Sequence, residues 1–388
     1  MRVALVHDWL DVWGGGEAVL AGLVQLFPDA DVFALVDFLS ADEHRRLGAT
    51  RVVTSPLRHL PGARRWFRYA AALRPEIVER FDLSDYDLVI SDSHAVAKGA
   101  RTEPGQLHVC YCHTPARFAW SMEDIYAGRA TEGAAWRRPL VRRALGRFRE
   151  WDCRANARID RFVANSRYTR AGIERCYGRE AAVVYPPVDV ERFAAAGRRA
   201  EGEPAGDTYV TVSRLVPYKR IDVLVEAFRD LPTRRLLVIG DGPERARLAA
   251  RSAPNVEFAG RLDDADVGRH VAQSRAFLFA AEEDFGIAPI EAQAAGTPVI
   301  AFARGGVLET VRGLDDPAPT GAFFDAQSPG AVRAAVLAFD AQAPRITRAA
   351  CRENAATYST ARFHAGILHE IAIARGLPAR TARLHGAA

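Results

Sequence analysis

The chain has 388 residues, enough for two domains that each bury a core, and its 49% hydrophobic and 26% charged residues exclude a disordered or fibrous polypeptide. No run reaches the ~18 apolar residues of a membrane-crossing helix, so none is expected. Net charge is only +4, and five cysteines without a CxxC pair argue against a disulfide framework or a structural zinc, which points to a reducing, cytoplasmic setting. At the N-terminus, MRVALVHDWL is broken by Asp8 and lacks a cleavage site at leader distance, so it is read as a first strand. Gly14, Gly15, Gly16 and Glu17 follow it, ahead of a helical pattern from Ala18. Consecutive glycines let backbone approach a bulky anion at a helix start. The same glycines also suit a plain tight turn, and their spacing is not the GxGxxG of a dinucleotide site.

Apolar runs then alternate with helical patterns: DVFALV from Asp31, DLVISD from Asp87, LHVCYC from Leu107 and RFVANS from Arg161. This is the βαβ rhythm of a parallel sheet. Two basic, aromatic-bearing stretches lie among them, RRWFRY from Arg64 and RRPLVRRALGRFR from Arg137. They read equally as solvated helix faces or as contacts with an anionic membrane or acidic partner. Nucleic acid is disfavoured, because no binding motif accompanies the charge. In CYCHTPARFAW, Pro115 holds Thr114 extended, so His113 stands at the carboxyl end of a strand. It serves there either as a ligand contact or as a structural hydrogen-bonder.

The stretch RFAAAGRRAEGEPAGDT, rich in Ala, Gly and charge, places a linker at roughly 190 to 207. A second series of strands follows in TYVTVS, RLLVIG, VEFAG, AFLFA and PVIAF, and beyond about residue 330 the chain reads as helical. STARFHAGILHEIAIA from Ser359 is amphipathic, and the last dozen residues are expected to fray. Arg214 and Lys219 in SRLVPYKRID follow a strand end, five positions apart, where both could reach a diphosphate. The chain has two lysines, Lys98 and Lys219, against fifty arginines, so Lys219 suggests a site that wants a compact charge. In EEDFGIAPIEAQAAGTPVIA, Gly286 permits a turn and Pro289 suits a first helical turn. Ile287 and Ala288 then present free N–H groups to an anion. Glu291, one turn on, and Glu283, before the helix, are placed to accept hydroxyl groups.

This combination resembles glycosyltransferase family 4, enzymes of the two-domain GT-B fold, over essentially the whole chain. Its most specific element is Glu283, seven residues and Glu291 at a helix start, with Arg214 and Lys219 upstream. RLVPYKRID and EEDFGIAPIEAQAAGTPVIA are most similar to bacterial mannosyltransferases that use GDP-mannose for O-antigen and exopolysaccharide repeats. The resemblance implies an α/β architecture of two Rossmann-like domains facing across a cleft. Residues 1–190 would be the acceptor-side domain and 207–358 the nucleotide-sugar domain, with a helix of about 359–376 packing back on the first. Gly15 and Gly16 would contact donor phosphates, Arg214 and Lys219 the diphosphate, and Glu291 the ribose. Glu283 and the backbone of Phe285, Gly286 and Ile287 would position the sugar, the backbone of Arg261 and Leu262 the base, and His113 a sugar hydroxyl. Ile287 stands where many members have Pro or Val. The implied chemistry retains configuration and uses no metal or other cofactor. Its partners are a nucleotide sugar and a saccharide or lipid-diphosphate-linked saccharide, met in the cytoplasm or on the inner membrane face. UDP-sugars are the alternative donors. An epimerase, a non-catalytic nucleotide-sugar-binding protein and, more remotely, a nicotinamide dehydrogenase are the competing functions.

Overall fold

The structure is a computed structural model that describes residues 1–124, 128, 135–196 and 206–376. The chain forms two compact units, Met1–Pro187 together with the segment from Ala361, and Val188–Thr360. Seven strands build the first: β1 (Val3–His7), β2 (Asp31–Ala34), β3 (Val52–Thr54), β4 (Leu88–Ser93), β5 (Leu107–Cys112), β6 (Arg161–Ala164) and β7 (Ala181–Val183). They make one parallel sheet in the order β3-β2-β1-β4-β5-β6-β7. Every residue of β1, VALVH, and of β4, LVISDS, is buried, as strands covered on both faces require. The polar end of β4 therefore needs partners inside the fold, and the register sets Asp92 beside His7 of β1.

The second unit repeats the plan with β8 (Thr208–Val212), β9 (Arg235–Ile239), β10 (Val256–Gly260), β11 (Ala276–Phe279), β12 (Val299–Phe302) and β13 (Gly321–Phe324). Their order is β10-β9-β8-β11-β12-β13, again parallel. Each sheet thus reverses winding direction once, between β1 and β4 in the first and between β8 and β11 in the second. Open parallel sheets present ligand sites at the carboxyl ends of the strands beside such a reversal.

Three strands escape the sequence reading, β3, β7 and β13. All lie at sheet edges and span three or four residues, and β3 and β7 are only half-buried, so their apolar signal is short and weak. The second unit also starts earlier than the linker suggested by composition. Val188 donates its N–H to Tyr358 O at 3.0 Å and pairs with Ser359, and Val190–Ala196 is a helix anchored by buried Phe193. Residues 197–205 of that stretch, and 377–388 expected to fray, lie outside the described residues.

Several helix starts carry the expected side-chain caps. Ser40 and Glu43 form a reciprocal capping box, and Ser166, Asp263, Ser328 and Thr347 each accept an N–H three residues on. The helix Thr360–Ala374 packs on the first unit. Its Phe363, Ile367 and Ile371 join a core with Leu5, Leu20 and Tyr111. Close approach there rests on two glycines. A Cβ on Gly22 would meet Pro187 at 2.9 Å, and one on Gly366 would meet Val184 at 2.7 Å. His364 Nε2 then lies 2.8 Å from Gly22 O. Among the described residues no helix is long and apolar enough to cross a membrane.

Candidate functional site

At the carboxyl edge of the first sheet, Gly14 is an extended residue before the helix Gly15–Leu26 and offers no side-chain cap. The first N–H groups of that helix are therefore open. His7, at the end of β1, is fully buried beneath the turn, with Cε1 3.5 Å from where a Cβ on Gly16 would lie. Its Nδ1 is 2.9 Å from Asp92 Oδ2, and its Nε2 faces Glu17 Oε1 at 3.8 Å, too far for a hydrogen bond. Burial alone would lower the His7 pKa, but the hydrogen bond and charge of Asp92, with Glu17, raise it to about 10. His113 Nε2 lies 2.6 Å from the other Asp92 oxygen. Burial would push Asp92 up, yet His113 and His7 hold it down at about 2.

Asp8 anchors the next layer. Its two oxygens accept the N–H groups of His94, Ala95, Val96 and Ala97 at 2.5 to 2.9 Å, and His94 Nδ1 stands 3.0 Å away. Burial opposes ionisation of Asp8, but the His94 charge and hydrogen bonds hold its pKa well below the carboxylate range. Lys98, one residue past this turn, is fully buried against Asp152 at 2.9 Å and Ala95 O at 2.6 Å. These pairs fix the loop after β4, and with it Asp92.

In the second unit, Arg214 is exposed just past β8, and its guanidinium has no hydrogen bond or ion pair among the described residues. Its backbone is clamped by Gly240, Asp241 and Gly242 after β9. Leu215 donates to Asp241 O at 2.9 Å, while a Cβ on Gly240, at φ 128°, would stand 1.9 Å from Ser213 O. Such a contact admits only glycine, which accounts for the GDG sequence. Lys219 is followed by Arg220 at φ 53°, the only non-glycine residue with positive φ among the described residues. Arg220 is held there by Gln327 and Asp222. That conformation is of the kind that costs ~1–3 kcal/mol and persists where surroundings impose it.

Lys219 Nζ pairs with Glu283 Oε1, both side chains about four-fifths buried. The loop carrying Glu283 is seated on Gly305 and Gly306 after β12. Gly306 donates to Glu283 O at 2.9 Å, and a Cβ on Gly305 would lie 2.2 Å from that oxygen. Phe285 is buried, its ring centroid 5.8 Å from that of Tyr358. Gly286, at φ 85°, precedes the helix Ile287–Ala294 without a side-chain cap. The N–H of Ile287 and its neighbours therefore open toward the same sheet edge as Lys219. Glu291, in that helix, lies 3.8 Å from the Arg192 guanidinium. Arg261 and Leu262 follow β10 ahead of the Asp263 cap.

The structure therefore brings Lys219 and Glu283 into contact, sets Arg214 and the Ile287 helix start on the same sheet edge, and couples His113 to residues the sequence did not single out. An anion there can draw Lys219 from Glu283, leaving the carboxylate to accept hydroxyl groups. His7, Asp92 and Asp8 were missed because each lies in or just past a strand end, though VHD and ISDS are polar endings to buried strands. Arg192 was missed because it lay in a stretch read as linker.

Residues 13–192 match the family model described as Glycosyltransferase Family 4, and residues 195–358 match the one described as Glycosyl transferases group 1. The chain is 35% identical over 198 residues to a D-inositol 3-phosphate glycosyltransferase of Mycobacterium sp. (strain KMS), covering 46% of this chain and 43% of that protein. It is 33% identical over 223 residues to a GDP-mannose-dependent alpha-(1-6)-phosphatidylinositol monomannoside mannosyltransferase of Mycolicibacterium smegmatis, covering 51% and 56%. The chain thus spans about half the length of these curated relatives. The solved structure of Anabaena Alr3699/HepE with UDP-glucose superposes with TM-score 0.69 at 17% identity, covering 96% of this chain and all of that one. Sucrose-phosphate synthase from Thermosynechococcus elongatus gives 0.67 at 19%, covering 95% and 97%. These likenesses establish the GT-B fold.

Proposed function

Because the chain belongs to the family 4 and group 1 glycosyltransferases and has the GT-B fold, we propose that it moves a sugar from a nucleoside-diphosphate donor to a saccharide hydroxyl with retention of configuration. The observation that carries this reading is the second sheet edge, where Arg214, unpaired among the described residues, Lys219 on Glu283, and an uncapped helix start converge beside the winding reversal. Arg214 and Lys219 neutralise the diphosphate as it leaves, and Gly15 and Gly16 supply backbone N–H groups to the same phosphates. Glu283, with the backbone of Phe285, Gly286 and Ile287, orients the sugar. Glu291 accepts the ribose hydroxyls, the backbone at Arg261 and Leu262 meets the base, and His113 contacts a sugar hydroxyl. The departing diphosphate takes the acceptor proton on the face it leaves, so no side chain forms a covalent sugar intermediate.

GDP-mannose is the donor this reading favours, supported by the mannosyltransferase of M. smegmatis. A UDP-sugar is the second reading, favoured by the UDP-glucose complex of a protein with the same fold. A thermal-shift panel of GDP-, UDP-, dTDP- and ADP-sugars separates them. A ligand at a hundred times its Kd adds ~2.7 kcal/mol of stability, so one base should raise the melting temperature by several degrees. No shift with any nucleotide sugar at millimolar concentration would remove the donor site, and conversion of the donor without acceptor would indicate an epimerase.

The acceptor in this reading is a lipid-diphosphate-linked saccharide at the inner face of the cytoplasmic membrane. Leu60, Tyr69, Leu73, Trp136 and Leu140 of the first unit are exposed among arginines such as Arg64, Arg65, Arg138 and Arg142. That mixture of apolar and cationic groups suits an anionic lipid surface. Co-flotation with phosphatidylglycerol vesicles, absent with phosphatidylcholine, is the expected result.

A further inference from the structure

We infer that Asp92 and His7 form a buried relay that sets the tautomer and charge of His113, and so act as positioning residues for the sugar-transfer step. This rests on the proposed contact between His113 and the donor sugar.

The geometry is built into the strand register. β1 and β4 pair His7 with Asp92, and His113 donates its N–H to Ser93 O at 2.9 Å, one step beyond β5. Asp92 is fully buried, and each of its oxygens meets one imidazole: Oδ2 meets His7 Nδ1 at 2.9 Å and Oδ1 meets His113 Nε2 at 2.6 Å. Both contacts have the lengths of charge-assisted hydrogen bonds, and among the described residues no cluster of side chains suits a metal ion. A carboxylate can only accept, so His113 must carry its proton on Nε2. That leaves Nδ1 as the working atom of the ring. Nδ1 has no partner among the described residues, and 14% of the His113 side chain is exposed. Nδ1 accepts from a sugar hydroxyl when the ring is neutral and donates to one when it is charged.

His7 completes the device by opposing Asp92. Its Nε2 is buried without a hydrogen-bond partner among the described residues, and Glu17 stands 3.8 Å away. Two imidazoles therefore share one carboxylate, and each weakens the hold of Asp92 on the other's proton. The remaining titratable groups facing His113 are Asp8 and His94, whose ring centroid is 6.4 Å away, and Tyr111 at 5.4 Å. Burial alone would lower the His113 pKa. Asp92 and Asp8 raise it, His7 lowers it, and the net shift is upward. An unpaired imidazole would instead rotate and exchange tautomers freely, presenting either nitrogen to a substrate.

Two substitutions with opposite expected effects test the relay. Asp92→Asn keeps the side-chain size but removes the charge, so the His113 pKa, followed by NMR of ring-labelled histidine, should fall. His7→Asn keeps an N–H close to the Nδ1 position while removing the competing cation, so the His113 pKa should rise. The pH dependence of kcat should move the same way in each variant, with KM changed less than threefold. His113 titration unchanged in both variants, or shifted in the same direction in both, overturns the relay. If Asp92→Asn does not fold, the His7→Asn shift decides alone. The NMR readout does not depend on catalysis. His113→Ala with wild-type kcat would remove the sugar-contact reading, whereas absent shifts would remove the relay.

Discussion

The two sheet edges hold ionisable residues in opposite electrostatic states. At the first, the carboxylates Asp8 and Asp92 are buried and their oxygens are matched to histidines and backbone N–H groups. At the second, Arg214 is exposed without a partner among the described residues and the helix starting at Ile287 lacks a side-chain cap, so positive charge is left over. A matched network orients a group but has little capacity for a new charge. Surplus charge on a rigid edge can take an anion with little rearrangement. In the proposed transfer, the first edge would orient the sugar and the second would bind the diphosphate.

The sharpest way to break that division is Arg214→Ala. Loss of one preorganised cation should lower kcat/KM by about 100- to 1,000-fold, while the melting temperature stays within a degree or two because the guanidinium supports nothing else. Steady-state kinetics and calorimetry on the same sample would check both halves. Gly240→Ala should act in the reverse sense, on the scaffold. A methyl group forced against Ser213 O at φ 128° should cost about 3 kcal/mol or more of stability in urea titration, and activity should fall because Arg214 is displaced.

A third test addresses the matched edge. The folded pKa of His7, about 10, lies above its ordinary 6.5, so its stabilisation is complete below 6.5 and drains as pH rises between those values. Unfolding free energy should drop on the order of 2 kcal/mol between pH 6.5 and 9 in the wild type, and clearly less in His7→Asn. Asp92, held down at about 2, contributes stability above its ordinary value that is lost as pH falls toward 2. The smallest expected effect is that of Glu291→Ala. Losing hydroxyl acceptance at a half-exposed carboxylate should weaken donor binding about tenfold, or ~1.4 kcal/mol, with kcat little changed. Equal effects of Glu291→Ala on kcat would place Glu291 in the chemical step instead.

Sequence alone revealed the α/β architecture because fully buried parallel strands such as VALVH and AFLFA are continuous apolar runs, alternating with helical patterns. It failed at β3, β7 and β13, edge strands too short to make a pattern. The candidate site was readable where it needs unusual residues in sequence, as at Lys219 or at Gly286, whose φ of 85° favours glycine ahead of the helix start. It was unreadable where function depends on register. His7 and Asp92 are 85 residues apart, and only the pairing of β1 with β4 makes them neighbours. Arg192 was hidden for a similar reason, because the helix that carries it lies in a charged, alanine-rich stretch with no apolar periodicity.

The most direct test is calorimetric titration of the nucleoside diphosphate, without its sugar, into wild type, Arg214→Ala and His113→Ala. The account predicts at least tenfold weaker binding for Arg214→Ala and less than threefold change for His113→Ala, because the ligand keeps the charge held by the second edge and lacks the sugar met by the first. Wild-type affinity in Arg214→Ala together with lost binding in His113→Ala would contradict it.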